Sequence, residues 1–203
     1  MSLPLQQHHT VLEMLDTQHF IPVLTLAVSA AWLAAELISL PRSKKQLDIP
    51  RGDWLTVALG ILPVLGVAAV IVWQYFFSSE KFYSVLVVPS LVLCLAGIGL
   101  RTWSKIVLGR FYTFTIDWTD DHRLLTTGPY RFVRHPLYLG TFLAIAGFPL
   151  LTQSWATLWF LTVPTALAYC LRIVKEETYL AETLGPEYKS YTRRTARLIP
   201  FVW

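Results

Sequence analysis

Charged residues are scarce in this sequence. Of its 203 residues, 15% are charged and 54% are hydrophobic, whereas soluble domains carry about 25% charged residues. The mean hydropathy is +0.49. This balance excludes an ordinary soluble domain and favours a membrane protein. The net charge of +4 does not indicate a nucleic-acid partner, because no basic patch stands apart from the ends of the apolar segments.

The sequence also has few groups that hold metals or form cross-links. Its two cysteines, Cys94 and Cys170, lie in apolar segments, where packed side chains are expected rather than a disulfide or a metal pair. His8, His9 and His19 lack the spacing of metal ligands, so no metal site is predicted. No GxGxxG pattern follows a strand-like segment, and a Rossmann-type cofactor site is therefore not indicated.

What the sequence has instead is a set of long apolar windows. A helix needs about 20 apolar residues to cross a bilayer, and five windows approach that length. They cover residues 20–40, 54–77, 82–100, 136–154 and 155–171. The last two are separated only by a polar turn at Gln153 and Ser154, which predicts a tight helical hairpin. We therefore predict an all-α fold, a polytopic membrane helical bundle with about five transmembrane helices.

The distribution of Lys and Arg predicts the orientation of the bundle. Basic residues near span ends are retained in the cytoplasm. With an odd number of spans and the N-terminus outside, all of the 17 Lys and Arg residues except Lys81 face the cytoplasm. The N-terminal segment has no basic n-region and no small-residue cleavage site, so a removable signal peptide is not expected.

The chain divides by composition into two regions. Residues 1–100 form the first three predicted spans and contain few candidate functional residues. Glu36 is the exception, and it is expected to be solvated or paired. Residues 101–203 contain a cytoplasmic loop, the helical hairpin and a cytoplasmic tail, and function is expected to concentrate there. Arg101 and Lys105, spaced i and i+4, suit phosphate head groups as well as a binding site.

The most informative stretch covers residues 122–140, with the sequence HRLLTTGPYRFVRHPLYLG. Its Gly-Pro pair predicts a turn, and Pro136 is placed as the first residue of the fourth helix, where its missing N–H costs nothing. Arg134 and His135 are therefore expected at the cytoplasmic N-terminus of that helix. Backbone amides and the helix dipole favour an anionic group there.

The fifth helix is expected to leave the membrane and to continue to about Leu184, where Gly185 and Pro186 end it. On this extension Arg172 and Glu176, spaced i and i+4, share a face. Basic groups, a histidine, carboxylates and several tyrosines are thus expected to converge at one membrane depth, on both sides of the hairpin.

At these residues the sequence resembles a known family, the isoprenylcysteine carboxyl methyltransferases, and their relatives the phospholipid N-methyltransferases. The matching residues up to the start of the fourth helix are His122, Leu124, Leu125, Gly128, Tyr130, Arg134, His135, Pro136, Tyr138 and Gly140. Those after the hairpin are Arg172, Ile173, Glu176, Glu177, Leu180, Gly185, Tyr188, Tyr191, Ile199 and Pro200. The resemblance covers the C-terminal half and is specific, because two motifs must coincide across a hairpin of the right length.

The resemblance implies a cytoplasmic pocket for S-adenosylmethionine and a lipid-like or prenylated acceptor that enters between helices. The implied cofactor-binding residues are His122, Leu124, Leu125, Gly128, Tyr130, Arg134, His135, Tyr138, Glu176 and Glu177. Glu176 or Glu177 would take the ammonium group of the cofactor, and Arg134 or the N-terminus of the fourth helix its carboxylate. Tyr130 and Tyr138 would supply aromatic faces, and the backbone of the leucine pair would bind the adenine edge.

Arg172 and Glu176 are the candidate catalytic residues. Methyl transfer to an ionised carboxylate requires no general base, so positioning would do most of the catalysis and Arg172 would orient the acceptor. With an amine acceptor, Glu176 or His135 would be needed to hold or deprotonate it. An isoprenylcysteine-type carboxylate is the preferred acceptor, and a phospholipid-type amine is the alternative.

Each of these residues also has a structural interpretation. His135 would cap a helix, Glu176 and Glu177 would form a solvated helix face, and Tyr188 and Tyr191 would anchor a helix at the membrane interface. Two other functions also stay open. One is a sterol-reductase-like membrane oxidoreductase that binds NADPH, and the other is a non-catalytic membrane protein that keeps the fold as a binding module.

Overall fold

The computed structural model of the protein describes residues 17–38, 54–77, 84–112 and 124–199. Its helices are α1 Thr17–Ile38, α2 Trp54–Phe77, α3 Val87–Leu108, α4 Pro136–Thr152, α5 Trp155–Leu184 and α6 Pro186–Thr192. Short 3-10 turns occur at Ser84–Leu86, Gly109–Phe111 and Gly128–Arg131. These described segments contain no β-strand, only an isolated parallel bridge between Val133 and Ala196. The all-α prediction is confirmed.

Among the residues that the structure describes, two helical segments are long and apolar enough to cross a membrane. They are Val87–Phe111 and Trp155–Leu184. Shorter apolar helical segments cover Pro22–Ile38 and Pro136–Thr152. Many large hydrophobic side chains of α3 and α5 point outward and are exposed, which is typical of a surface that contacts lipid rather than water.

Each predicted window overlaps a helix, and the third is shifted, but the count of five spans stays a prediction. That window covers residues 82–100, whereas α3 begins and ends later in the chain. The helix continues past Arg101 because Arg101 and Lys105 turn inward and pair with Glu36 of α1. Both cations are buried in the bundle, so they do not extend towards phosphate head groups, and their part in a binding site stays a prediction.

Helices α3 and α4 form the most extensive helix pair of the bundle. A Cβ atom at Gly97 of α3 would lie 2.5 Å from the carbonyl oxygen of Gly140 and from the backbone nitrogen of Ala144. A Cβ atom at Gly140 would lie 2.7 Å from the backbone nitrogen of Arg101. The two backbones therefore touch, as in the small-residue contacts of membrane helices.

A tight turn joins α4 to α5, as predicted. Gln153 has a left-handed backbone with φ 49°, and the Ser154 hydroxyl accepts a hydrogen bond from the backbone N–H of Ala156 at 3.2 Å. Unlike the prediction, α5 contains a π-helical turn at Leu158–Thr162. Pro164 follows it, and since proline has no N–H and its ring crowds the carbonyl four residues earlier, the regular helical ladder is interrupted there.

Two clusters of buried side chains hold the bundle together. The first joins α1, α3, α4 and α5, and its members are Val28, Cys94, Phe148, Leu151 and Leu161. The second joins the start of α4, the later part of α5 and the tail, and its members are Leu137, Tyr138, Tyr169, Ile173 and Leu198. Cys94 and Cys170 are free thiols, as predicted. The second cluster fixes the geometry of the polar residues described next.

Candidate functional site

The C-terminal tail docks on the segment that leads into α4. The backbone N–H of Arg134 donates to the carbonyl of Ala196 at 2.8 Å, and that of His135 to the carbonyl of Arg197 at 3.2 Å. Ala196 donates back to the carbonyl of Phe132 at 3.2 Å. The polar residues before the α4–α5 hairpin therefore contact those after it, as predicted.

The Glu177 carboxylate contacts three basic side chains at this junction. It accepts hydrogen bonds from Arg134 Nε at 2.8 Å and from Arg197 Nη2 at 2.6 Å, and His135 Nε2 lies 3.3 Å from it. The cluster lies beyond Leu171, where the predicted fifth span ends. Burial alone would raise the pKa of Glu177, but the hydrogen bonds from the three basic side chains outweigh it and lower the pKa to about 2.

Arg134 ties the tail to the start of α4. Its Nη1 donates to the carbonyl of Thr192 at 3.1 Å and to that of Thr195 at 2.5 Å. The Thr195 hydroxyl in turn donates to the carbonyl of Tyr191 at 2.8 Å. Two of the three guanidinium nitrogens of Arg134 are thus used to close the site, which is a structural task that the sequence did not indicate.

Helices α4 and α5 are linked by a buried chain of hydrogen bonds. Arg172 Nε donates to the Tyr138 hydroxyl at 2.9 Å, and that hydroxyl donates to Glu176 Oε2 at 2.6 Å. Arg172 and Tyr138 are both buried, whereas Glu176 is half-buried. The predicted shared face of Arg172 and Glu176 is confirmed, and Tyr138 is the group that bridges them.

Aromatic rings surround this chain. The His135 ring stacks on the Tyr138 ring with a centroid distance of 5.5 Å and an interplanar angle of 16°. Tyr169 of α5 packs against the other side of the site, 5.3 Å from Tyr138. Pro136 is the first residue of α4 and His135 precedes the helix, as predicted. His135 contacts both Glu177 and Tyr138, so it connects the Glu177 cluster with the Arg172–Tyr138–Glu176 chain.

Three tyrosines form a second aromatic wall. The Tyr191 hydroxyl donates to the carbonyl of Tyr130 at 2.7 Å, and the Tyr188 and Tyr191 rings are 6.2 Å apart. Burial raises the pKa of Tyr130 well above its usual value, and Glu176 adds to the effect, so Tyr130 lies near that carboxylate. The buried Tyr188 hydroxyl has no hydrogen-bond partner among the described residues. A buried polar group of this kind calls for an explanation.

The remaining predicted cofactor residues lie in the loop before α4. Gly128 has φ +57°, and a Cβ there would lie 3.0 Å from Val107 of α3, so glycine is required at this position. Leu124 and Leu125 are half-buried in the segment that precedes it. Their backbone contact with a cofactor stays a prediction. His122 lies outside the described residues.

Sequence reasoning missed two parts of the polar network. Arg197, which pairs with Glu177, was assigned only to membrane orientation, because no helical period connects it to α5. The Glu36 cluster was treated as separate residues on different spans. A signal for it was present, since opposite charges at the same depth of neighbouring spans are rare unless they pair.

Comparison with known proteins agrees with this architecture. The sequence model described as the isoprenylcysteine carboxyl methyltransferase family matches residues 90–182. The chain is also similar to the eukaryotic intramembrane Ras methyltransferase ICMT, whose solved structure superposes with a TM-score of 0.62 and 25% identity. That superposition covers 87% of this chain and 63% of the other.

The chain is also similar to two proteins that have different names. The cobalt-zinc-cadmium resistance protein CzcN of Cupriavidus metallidurans is 34% identical over 110 residues, which are 54% of this chain and 49% of the relative. A probable protein-S-isoprenylcysteine O-methyltransferase of Oryza sativa subsp. indica is 30% identical over 129 residues, or 62% of this chain and 67% of the relative. The matched region thus spans about half the length of the metal-resistance relative and two thirds of the rice protein.

The matched region contains α4, most of α5 and the residues of the Arg172–Tyr138–Glu176 chain. Together with two helices long enough to cross a bilayer, these likenesses identify an integral membrane protein with an all-helical fold. The chain belongs to the isoprenylcysteine carboxyl methyltransferase family.

Proposed function

We propose that this chain transfers a methyl group from S-adenosylmethionine to a lipid-like acceptor, an ionised carboxylate of the isoprenylcysteine type. One observation carries the proposal. The buried hydrogen-bonded chain of Arg172, Tyr138 and Glu176 adjoins the junction where Glu177 holds the tail against α4. A cation and an anion are thus held in fixed positions at one closed site.

The residues present fit the chemistry of this cofactor. Glu176 Oε1 accepts no hydrogen bond from the described residues, so it is available to the ammonium group of an amino-acid moiety. The buried Tyr188 hydroxyl lacks a partner in the described segments, and the stacked rings of His135 and Tyr138 offer aromatic faces to a cation or an adenine. When bound, S-adenosylmethionine supplies an electrophilic methyl group on a positively charged sulfur.

The two adjacent glutamates have different tasks in this proposal. Glu177 already binds Arg134, His135 and Arg197, so it holds the wall of the pocket. Within the described segments Glu176 accepts a hydrogen bond from Tyr138 alone, so it is left to contact the ligand. Arg134 would still present its remaining nitrogen to the carboxylate of the cofactor.

Arg172 is the proposed group that orients the acceptor. It is buried and its Nε is fixed by Tyr138, so it presents a positive charge of defined direction. An ionised carboxylate requires no general base, and orientation in a dry site supplies effective molarities of about 10⁵ M or more. The residues of the site therefore act by positioning and by excluding water.

The proposal includes a placement in the membrane. We infer five spans, with the N-terminus outside and the C-terminus and site in the cytoplasm, because this orientation keeps all basic residues except Lys81 on the cytoplasmic side. Residues 1–100 would then form the membrane region that receives the acceptor, and residues 101–203 the methyltransferase region.

The experiment is transfer of a radiolabelled methyl group by the purified full chain in detergent. An S-prenylated N-acetylcysteine and a phospholipid with a primary amine are offered separately as acceptors. Base-labile label on the carboxylate is expected, and Arg172→Gln is expected to abolish most of it. Lys175→Gln, which removes an exposed cation from the same helix, is the matched control and should transfer methyl groups like the wild type.

If the label appears on the phospholipid amine alone, the acceptor is the amine and not the prenylcysteine carboxylate. Calorimetric titration with S-adenosylhomocysteine and with NADPH decides between the methyltransferase and the oxidoreductase. Tight binding of NADPH without binding of S-adenosylhomocysteine would overturn the proposal.

A further inference from the structure

A second charged cluster lies where α1, α3 and α4 meet. Glu36 accepts a hydrogen bond from Arg101 Nε at 2.6 Å and, on its other oxygen, one from Lys105 Nζ. Arg101 Nη1 donates to the Thr141 hydroxyl of α4 at 2.8 Å. Arg101 is 9% exposed and Lys105 is 3% exposed, so both cations lie in the interior with little access to water.

The charges of this cluster do not balance. Among the described residues it holds two cations and one carboxylate, and no other described carboxylate forms an ion pair with Arg101 or Lys105. Arg101 Nη2 donates no hydrogen bond to the described residues. The Trp32 ring lies 5.4 Å from the Arg101 guanidinium and the Tyr112 ring 5.0 Å from Lys105 Nζ, which offsets part of the charge. Surplus charge at membrane depth is expensive and typical of functional positions.

The cluster adjoins the reacting site. Thr141, which binds Arg101, is three residues after Tyr138 on α4, which is about 4.5 Å along the helix axis and on the same face. Burial raises the pKa of Tyr112, which follows α3, to about 12, although Arg101 and Arg172 both act to lower it. The Tyr112 hydroxyl therefore lies in the field of both guanidinium groups.

We propose that Arg101 and Lys105, held in place by Glu36, form an anion subsite that binds the carboxylate of the acceptor opposite Arg172. The inference rests on the proposed function, since it assigns an ionised carboxylate to the acceptor. Binding of that group balances the surplus charge. A neutral amide or ester leaves the surplus unpaired, so the subsite selects acceptors by charge and releases a neutral methyl ester.

Equilibrium binding without turnover tests the subsite. The probes are a radiolabelled S-prenylated N-acetylcysteine and its carboxamide, and the protein is the full chain in detergent. The wild type is expected to bind the carboxylate about 10- to 100-fold more tightly than the carboxamide. Lys105→Gln and Arg101→Gln are each expected to remove most of this preference, because each leaves one cation paired with Glu36 and no surplus charge.

Glu36→Gln provides the opposite expectation. It raises the surplus of positive charge, so the preference for the carboxylate over the carboxamide should increase. A merely structural role of the cluster would change this preference in the same direction in all three variants. Lys175→Gln, with its exposed cation on α5, should keep the wild-type ratio.

Two results would contradict the proposed subsite. One is that Lys105→Gln and Arg101→Gln keep the wild-type ratio of affinities for the carboxylate and the carboxamide, and the other is that the wild type binds the two probes equally. Binding of S-adenosylhomocysteine by the same preparations separates this result from a failure of the proposed function. If that ligand still binds, only the subsite is lost, whereas its failure to bind the wild type would count against the methyltransferase itself.

Discussion

Glu177 and Glu36 each hold several cationic side chains, but in different surroundings. Glu177 binds groups from the start of α4 and from the tail, and its partner Arg197 is 30% exposed in its side chain. Glu36 binds two cations of α3 that are almost fully buried. The same pairing chemistry therefore holds the tail against α4 in one region and leaves two buried cations on one described carboxylate in the other. The contrast teaches that solvent access matters for a cluster with more cations than carboxylates. Water can solvate an exposed cation, whereas a buried cation requires a further anion.

The largest expected effect is that of Glu177→Gln. This variant leaves three basic groups without their carboxylate, so the free energy of unfolding should fall by about 3 kcal/mol. Binding of S-adenosylhomocysteine should weaken with it, because the tail is no longer held against α4. Denaturant unfolding and calorimetric titration in detergent measure the two effects.

Glu36→Gln sharpens the comparison. It should also lower the free energy of unfolding, but the affinity for S-adenosylhomocysteine should stay at the wild-type value, because the Glu36 cluster does not hold the tail. Equal loss of that affinity in both variants would contradict the division of roles.

Acid should remove the contribution of Glu177 selectively. Its pKa is about 2 in the folded protein, below the ordinary value of 4.5, so its stabilisation is complete above pH 4.5 and is lost as the pH falls towards 2. A shift of this size corresponds to about 3 kcal/mol. The free energies of unfolding of the wild type and of Glu177→Gln should therefore become more similar as the pH falls from 4.5 to 2. A constant difference over that range would contradict the assigned pairing.

A smaller effect is expected from Gly140→Ala. The added methyl group would lie 2.7 Å from backbone atoms of α3, and forcing α3 and α4 apart should lower the free energy of unfolding by about 1–3 kcal/mol. It should also disturb Arg101 and Tyr138 together. Gly99→Ala is the matched control, because a Cβ at Gly99 has no atom within 4 Å. Equal stability of the two variants in denaturant unfolding would show that the close approach is not required.

The smallest effect on stability is expected from Tyr188→Phe. The hydroxyl that it removes is buried and has no partner among the described residues, so the free energy of unfolding should stay the same or rise slightly. If the hydroxyl contacts the cofactor, the affinity for S-adenosylhomocysteine should fall. Calorimetric titration measures this effect, and a clear loss of stability with unchanged affinity would assign Tyr188 to packing alone.

Much of the fold was predictable because local signals agree with the tertiary structure. Pro136 at the start of α4 and Gly185 at the end of α5 follow from backbone preferences of single residues, and the turn at Gln153 follows from the polar break between two apolar windows. The shared face of Arg172 and Glu176 follows from helical spacing. These signals depend on neighbours in sequence, and the structure confirms each of them.

The missing parts depend on contacts between distant residues. Tyr138 bridges Arg172 and Glu176 only because the hairpin brings α4 against α5. The π-helical turn before Pro164 is a local interruption of the helical ladder by proline, which apolar periodicity does not report. Arg197 reaches Glu177 through the tail, where no regular element sets its direction.

The most direct test of the account is the affinity of Glu176→Gln for S-adenosylhomocysteine, measured by calorimetry beside Lys175→Gln. If the hairpin builds one cofactor pocket, loss of the Glu176 charge should weaken binding about 10- to 100-fold, and Lys175→Gln should bind like the wild type. Equal affinity of Glu176→Gln and the wild type would contradict the account.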